Sequence, residues 1–148
     1  MSFDIHKAFT DISNGDKSAY AFVTSFYHWA HTLDDLIDHD KPLDLPRAME
    51  VIFYFVGTLA TNEFFTAHKD HFLPILLVDI LAFVESERLR VKAPVLDRVS
   101  SQVLKSQYQD VFYYTAYLTG GFSHMLKMSQ TYREYDFDPS PPPENLPS

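Results

Sequence analysis

The interval between Lys17 and Lys41 holds the side chains of this sequence that are best suited to binding a cation. It contains no Lys or Arg, but it has four aspartates and three histidines. Carboxylates spaced i and i+4 repel each other, and the dipole disfavours anions near a helix C-terminus. A bound cation would relieve both effects, so we expect Asp34, Asp35 and Asp38 to be metal ligands. Several carboxylates without a thiolate suit Mg²⁺ or Mn²⁺.

The histidines of the same segment leave other interpretations open. His28 and His31 are spaced i and i+3, and with Asp35 they could hold Zn²⁺ or iron instead. The whole acidic stripe could equally be an ordinary solvated helix face. In a metal-dependent enzyme, His31 would act as a general base because the ordinary imidazole pKa lies close to working pH.

Single carboxylates also interrupt apolar stretches further along the chain, at Glu63, Asp79 and Asp110. A buried carboxylate is costly unless it is paired or bound to a metal. We expect Glu63 or Asp110 to complete the metal shell. The alternative is that each acid marks the polar edge of its helix.

The chain has one basic cluster, around Arg88 and Arg90, with Lys92 and Arg98 close by. It could receive a phosphate or diphosphate opposite the metal, or it could simply compensate a helix dipole. The sequence has no Gly-x-Ser-x-Gly string, no P-loop and no His-Glu-x-x-His motif. The metal hypothesis therefore rests on the aspartates.

The elements that must position these residues are predicted to be helices. Four glycines in 148 residues and long apolar segments favour helix over a turn-rich β fold. We expect an all-α antiparallel bundle of four to five helices in a single domain, 1–135, followed by a flexible Pro-rich tail, 136–148. The polar segment 1–16 ends in an Asn14-Gly15 turn. The predicted helices are 18–38, 46–68, 74–91 and 96–119, the last resuming after Gly120-Gly121 as far as residue 133.

Charge and composition limit the classes of partner. The net charge of −8 makes nucleic-acid binding unfavourable, and the absence of Cys excludes disulfides. No apolar stretch approaches the roughly 20 residues needed to span a bilayer. The first residues lack the basic start and apolar run of a secretion signal, so we expect a cytoplasmic protein.

Two segments resemble squalene and phytoene synthases. The aromatic segment Tyr20-Ala21-Phe22 leading into Asp34-Asp35-Leu36-Ile37-Asp38 resembles the first aspartate-rich motif of that family. The segment Tyr114-Thr115-Ala116-Tyr117-Leu118-Thr119-Gly120 resembles its later Tyr- and Gly-containing helix. The resemblance implies an isoprenoid-synthase-like fold in which Asp34, Asp35 and Asp38 bind Mg²⁺, which holds a prenyl diphosphate. Tyr114 and Tyr117 would then contact the substrate.

A second, looser similarity is to the MazG-like NTP pyrophosphohydrolases, small helical bundles that hold Mg²⁺ with acidic pairs. Here the pair would be Asp35-x-x-Asp38. Both similarities imply a metal-dependent enzyme, or a domain derived from one, that acts on a diphosphate-bearing small molecule.

A non-enzymatic interaction protein is the alternative function. The aromatic load of the second and fourth predicted helices exceeds what a small monomer easily buries, and extra aromatics often mark interfaces. Such a bundle would bind a partner through its acidic face or an aromatic groove, or would form a homodimer.

Overall fold

The computed structural model of the chain describes residues 3–37, 44–90, 100 and 106–133. This part of the chain forms an all-α bundle and contains no β-strand, as the sequence predicts. None of its helices is long and apolar enough to cross a membrane. The predicted tail 136–148 and the predicted helix start at Leu96 lie outside the described residues.

The helices are α1 (Ile5–Ser13), α2 (Lys17–Ile37), α3 (Leu45–Phe53), α4 (Glu63–Arg90) and α5 (Asp110–Tyr132), with a π-helical turn at Tyr54–Leu59 and a 3₁₀ turn at Ser106–Gln109.

Helix α1 lies within the polar segment 1–16, where the sequence predicts no helix before the Asn14-Gly15 turn. Asp4 caps this helix, since its carboxylate accepts hydrogen bonds from the backbone N–H groups of His6 and Lys7 at 3.0 and 3.2 Å. Phe9 and other apolar residues of α1 are buried. The predicted turn is present, because Asn14 adopts the left-handed conformation with φ 49°.

The start of α3 follows from the string Asp44-Leu45-Pro46, an N-cap residue with a proline in the first turn. Asp44 is the N-cap and accepts a hydrogen bond from the Arg47 N–H at 3.4 Å, and a proline occupies the first turn. The sequence predicts one helix as far as about His68; the chain already breaks at Asn62, and a second departure from helical geometry lies at His68, where the sequence places the end. At the first break, the Asn62 side-chain oxygen accepts from the Phe65 N–H at 2.8 Å, and its NH₂ group donates to the Ser18 carbonyl at 3.1 Å.

Helix α4 runs through Pro74, where the sequence predicts a break at 70–74. A proline inside a helix removes one backbone donor, and its ring clashes with the carbonyl four residues earlier, here that of Asp70. The departure from helical geometry lies at His68, with φ −122° and ψ 16°. The helix therefore kinks ahead of Pro74 and continues.

Aromatic side chains hold the helices together. The Phe22 ring of α2 is fully buried and lies 4.8 Å from the ring of Phe72 and 5.6 Å from that of Phe64, both on α4. The Phe9 ring of α1 lies 5.1 Å from that of Phe112 on α5. The core thus joins α1, α2, α4 and α5.

Helix α5 is kinked at Gly121, within the Gly120-Gly121 pair where the sequence predicts an interruption of the helix. Gly121 has φ 83° and ψ −176°, a conformation that favours glycine. The kink lies beside the end of α1, because the Asn14 side chain donates to the Thr119 carbonyl at 3.0 Å and the Thr119 hydroxyl donates to the Ile12 carbonyl at 3.1 Å.

We expect Phe22→Ala to lower the free energy of unfolding by about 3–5 kcal/mol, because it leaves a cavity among rings that pack on one another. The matched control is Phe122→Ala on α5, whose side chain is 63% exposed. It should change stability by about 0.5 kcal/mol or less. Urea unfolding of both variants checks this, and equal losses would contradict the assignment of the core.

Candidate functional site

An apolar cavity of about 300 Å³ lies between α2 and α4 and is closed at its sides by the π-helical turn and the 3₁₀ turn. Its volume is at the lower end of the range of small-molecule sites. The α2 wall uses the apolar face that the helical periodicity predicts. The apolar lining residues are Phe26, Trp29, Ala30, Leu33, Phe55, Leu76, Ile80, Phe83 and Val84.

The π-helical turn supplies the edge of this cavity next to Trp29. The Tyr54 ring stacks on the Trp29 indole at 5.8 Å, and the Phe55 ring meets the same indole edge-on at 4.9 Å. A π-helical turn carries an extra residue and shifts the side-chain register. Adjacent aromatic residues can therefore both contact one tryptophan, with Phe55 bordering the cavity.

Four polar residues line the cavity: His31, Asp34, Asp79 and Tyr108. In the described part of the chain, three lining residues have a buried polar atom without a hydrogen-bond partner: the Asp79 Oδ2, the His31 Nε2 and the Trp29 Nε1. The His31 imidazole packs edge-on against the Tyr27 ring at 4.2 Å. Buried polar atoms in folded proteins are normally satisfied, so three such atoms around one mainly apolar cavity call for a ligand or another explanation.

Among the carboxyl groups in the described part of the chain, that of Asp79 has the most strongly shifted pKa. Burial, and then repulsion from the Asp110 carboxylate, raise the pKa of the Asp79 carboxyl from its ordinary value of 3.8 to about 7. This carboxyl is therefore near half-ionised at neutral pH. The sequence marks Asp79 only as an acid inside an apolar stretch and does not assign it to the site.

The predicted metal ligands of α2 do not all meet in the described structure. Asp34 lines the cavity, whereas the Asp35 Oδ2 accepts from the Arg47 Nη2 at 2.9 Å in a half-exposed ion pair. Asp38 lies outside the described residues. Within 3–37, 44–90 and 106–133, no three His, Asp or Glu side chains lie close enough to hold a metal ion, so the alternative set with His28 is not assembled either. Metal binding by Asp34, Asp35 and Asp38 remains a prediction.

The two acids expected to complete the metal shell do not line the cavity. Glu63 is exposed in the first turn of α4. Asp110 is exposed in the first turn of α5, and its Oδ1 lies 3.7 Å from the Arg133 Nη2. Of the two, only Asp110 acts on the site, through its charge on Asp79.

The predicted substrate-binding residues lie elsewhere in the described structure. Arg88 forms an exposed ion pair with Glu85 at 2.8 Å, and the side chain of Arg90 is outside the described residues. The Tyr114 hydroxyl hydrogen-bonds to the His71 Nδ1 at 2.8 Å, and the Tyr117 ring lies 5.7 Å from the Tyr114 ring. Neither tyrosine is among the residues that line the cavity.

Comparison with known proteins gives no relative from which to transfer a role. No protein-family model, curated protein or solved structure matches the chain. The cavity and the unpartnered polar atoms of its described lining residues are therefore the basis for a functional argument.

The raised pKa of Asp79 predicts a pH dependence of stability. A carboxyl with a raised folded-state pKa holds its proton more tightly in the folded state, so its contribution to the free energy of unfolding falls as pH rises from 3.8 to about 7. Asp79→Asn should remove this fall. Between pH 5 and pH 8 the free energy of unfolding of the variant should therefore rise relative to that of wild type by about 1–2 kcal/mol, after discounting for solvent screening.

Urea unfolding at both pH values measures this difference. Asp70→Asn, at an exposed aspartate of the same helix, is the matched control and should follow the wild-type profile. If Asp79→Asn also followed the wild-type profile, Asp79 would be an ordinary solvated acid.

Proposed function

We propose that the protein binds a small apolar molecule with a protonated amine end in the cavity between α2 and α4. The observation that carries the proposal is the buried Asp79 Oδ2, which has no hydrogen-bond partner among the described residues and lies in a mainly apolar cavity. A carboxylate in such surroundings is costly unless a partner compensates it. Strongly perturbed acids in clefts are also concentrated at functional sites.

The charge around the cavity favours a cationic ligand over an anionic one. Asp34 and Asp79 line it, and Asp110 acts on Asp79 from α5. None of the described residues that line the cavity is a Lys or Arg. Asp79 would repel a ligand carboxylate or phosphate, and no described lining residue would offset that repulsion, whereas an ammonium group would lower the cost of ionising Asp79.

The other lining groups also fit such a ligand. The His31 Nε2 has no hydrogen-bond partner and in the matching tautomer could accept a second N–H from the ammonium group. The faces of Phe26 and Trp29 can attract a cation. The remaining apolar wall would bury the hydrocarbon part of the ligand, which supplies most of the affinity of a small-molecule site.

A second candidate function is the metal-dependent chemistry that the sequence predicts. It is supported by the position of Asp34, the first aspartate of the predicted motif, beside His31 at an apolar cavity. An apolar chain could occupy the cavity while Asp34 and Asp38 hold a divalent ion against a diphosphate. When bound, the ion would neutralise the phosphate charge. Because Asp35 is paired with Arg47, this candidate has fewer available ligands than the sequence suggests.

The amine proposal is tested with three ligands of the same chain length: octylamine, octanol and octanoate. Octylamine should raise the Tm at pH 8 most, because its ammonium group pairs with ionised Asp79. At a ligand concentration of 100 times Kd, the gain is about 2.7 kcal/mol. Octanol should give a smaller shift and octanoate none. Differential scanning fluorimetry measures all three.

Asp79→Asn should reduce the octylamine shift to the octanol level, and Asp70→Asn should leave it unchanged. Octylamine stabilisation should also weaken below pH 7, where Asp79 takes up a proton. Equal stabilisation by octanoate and octylamine would contradict the proposal, since it would mean that the charge of the carboxylate has no part in binding.

The second candidate makes a separate prediction with Mg²⁺ and inorganic diphosphate. Together they should raise the Tm of the wild type above its value in chelator, because a ligand that binds only the folded state stabilises it. The double change of Asp34 and Asp38 to Asn should abolish the shift, whereas Asp70→Asn should keep it. If the wild-type Tm does not respond, the metal-dependent function is excluded under those conditions.

A further inference from the structure

The face of α4 beside the cavity is apolar and exposed along its central part. Its large side chains are between 51% and 70% exposed, although each is aliphatic. They are spaced i, i+4, i+7, i+8 and i+11, which places them on one face of a helix. We name this surface the α4 stripe, and its members are Leu73, Leu77, Ile80, Leu81 and Val84.

The exposed apolar area of the α4 stripe is similar to the apolar area that each partner buries in a standard protein interface. A large aliphatic side chain that is half to two-thirds exposed presents roughly 100 Å² of apolar surface, so the stripe presents roughly 500 Å². A standard interface buries about 800 Å² per partner, of which about 56–65% is apolar. The stripe therefore supplies about the apolar area of one such interface, at the upper end of the 300–600 Å² of the largest patch on a typical monomer.

We propose that two copies of the chain pair through their α4 stripes. A single continuous helix face can meet its own copy about a two-fold axis, which is the commonest arrangement of homo-oligomers. The i, i+4, i+7, i+11 spacing is also the spacing with which two helices pack side by side. The pairing needs no other surface of the protein.

Charges at the two ends of the stripe are compatible with antiparallel pairing. Lys69 and Asp70 precede the stripe, and the Glu85–Arg88 ion pair follows it. Antiparallel helices bring the start of one stripe to the end of the other, so each mixed-sign end meets another mixed-sign end. The net charge of −8 disfavours the other obvious occupant, an anionic lipid surface.

The stripe is continuous with the cavity described above. Ile80 and Val84 belong to both, although they are 51% and 57% exposed. A second copy would therefore cover the cavity along this edge of α4. The pairing itself stands without a ligand, so failure of amine binding and failure of the dimer can be told apart.

Sedimentation velocity of the full chain at about 50 µM, well above a micromolar Kd, tests the pairing. We expect the wild type to sediment at twice the mass of the 17.1 kDa chain. Leu77→Glu and Leu77→Lys should each be monomeric, with the Kd raised at least tenfold. Their equimolar mixture should recover a dimer, because opposite charges then meet near the middle of two facing stripes.

Circular dichroism shows whether each variant keeps the wild-type helix content, and Leu81→Glu provides a second disrupting change. The matched control is Val56→Glu, at an exposed valine of the π-helical turn outside the stripe, which should remain dimeric. The proposal is overturned if the wild type is a monomer at this concentration, or if the dimer survives Leu77→Glu. It is also overturned if Val56→Glu dissociates the dimer as fully, or if the wild type is monomeric and floats with phosphatidylcholine vesicles.

Discussion

The contact between the Phe22 ring of α2 and the rings of Phe64 and Phe72 on α4 fixes the geometry on which the site depends. It sets the rotation of α2 about its own axis. Because side chains three, four and seven residues apart share a helix face, the same rotation directs Phe26, Trp29 and Leu33 toward α4. Near Phe22 the helices are in contact, and further along they leave the cavity between them. The site is therefore a consequence of how the core is packed.

In this packing, burial of the apolar residues around Asp79 stabilises the folded state, whereas burial of the Asp79 carboxyl destabilises it. A carboxyl that is removed from water without a partner destabilises the folded state, and natural proteins sit only a few kcal/mol above unfolding. Replacement by an apolar residue would remove the cost. A cationic ligand would compensate this cost, which connects the partly buried position of Asp79 to the proposed binding role.

The sequence predicts the helices that have a clear local pattern of residue types along the chain. The apolar periodicity of α2 and the Asp44–Pro46 start of α3 suffice to identify these helices, and Gly121 marks the kink of α5. Helix α1 is missed because it is short and its apolar residues are stabilised mainly by packing on α5, as in the contact between Phe9 and Phe112. The interruption expected ahead of Pro74 is a kink at His68, and the helix continues through Pro74.

The site is less predictable than the fold. Periodicity assigns Tyr27, His31 and Asp34 to a polar face of α2, yet Tyr27 packs against Phe9 at 5.5 Å and the other two border an apolar cavity. Helical periodicity gives the relative positions of side chains on one helix and does not give what lies opposite them. For the same reason, Asp79 can be recognised as unusual in the sequence, but its lack of a partner depends on the approach of α2 and the 3₁₀ turn.

The most direct test is an NMR titration of the Asp79 carboxyl carbon in selectively labelled protein, with and without saturating octylamine. The account predicts a midpoint near pH 7 in the free protein, as burial requires, and a midpoint lowered by at least about one unit when the amine is bound. A midpoint close to 3.8 in the free protein would show that Asp79 is solvated. An unchanged midpoint in the presence of bound amine would show that the ligand does not pair with this carboxyl.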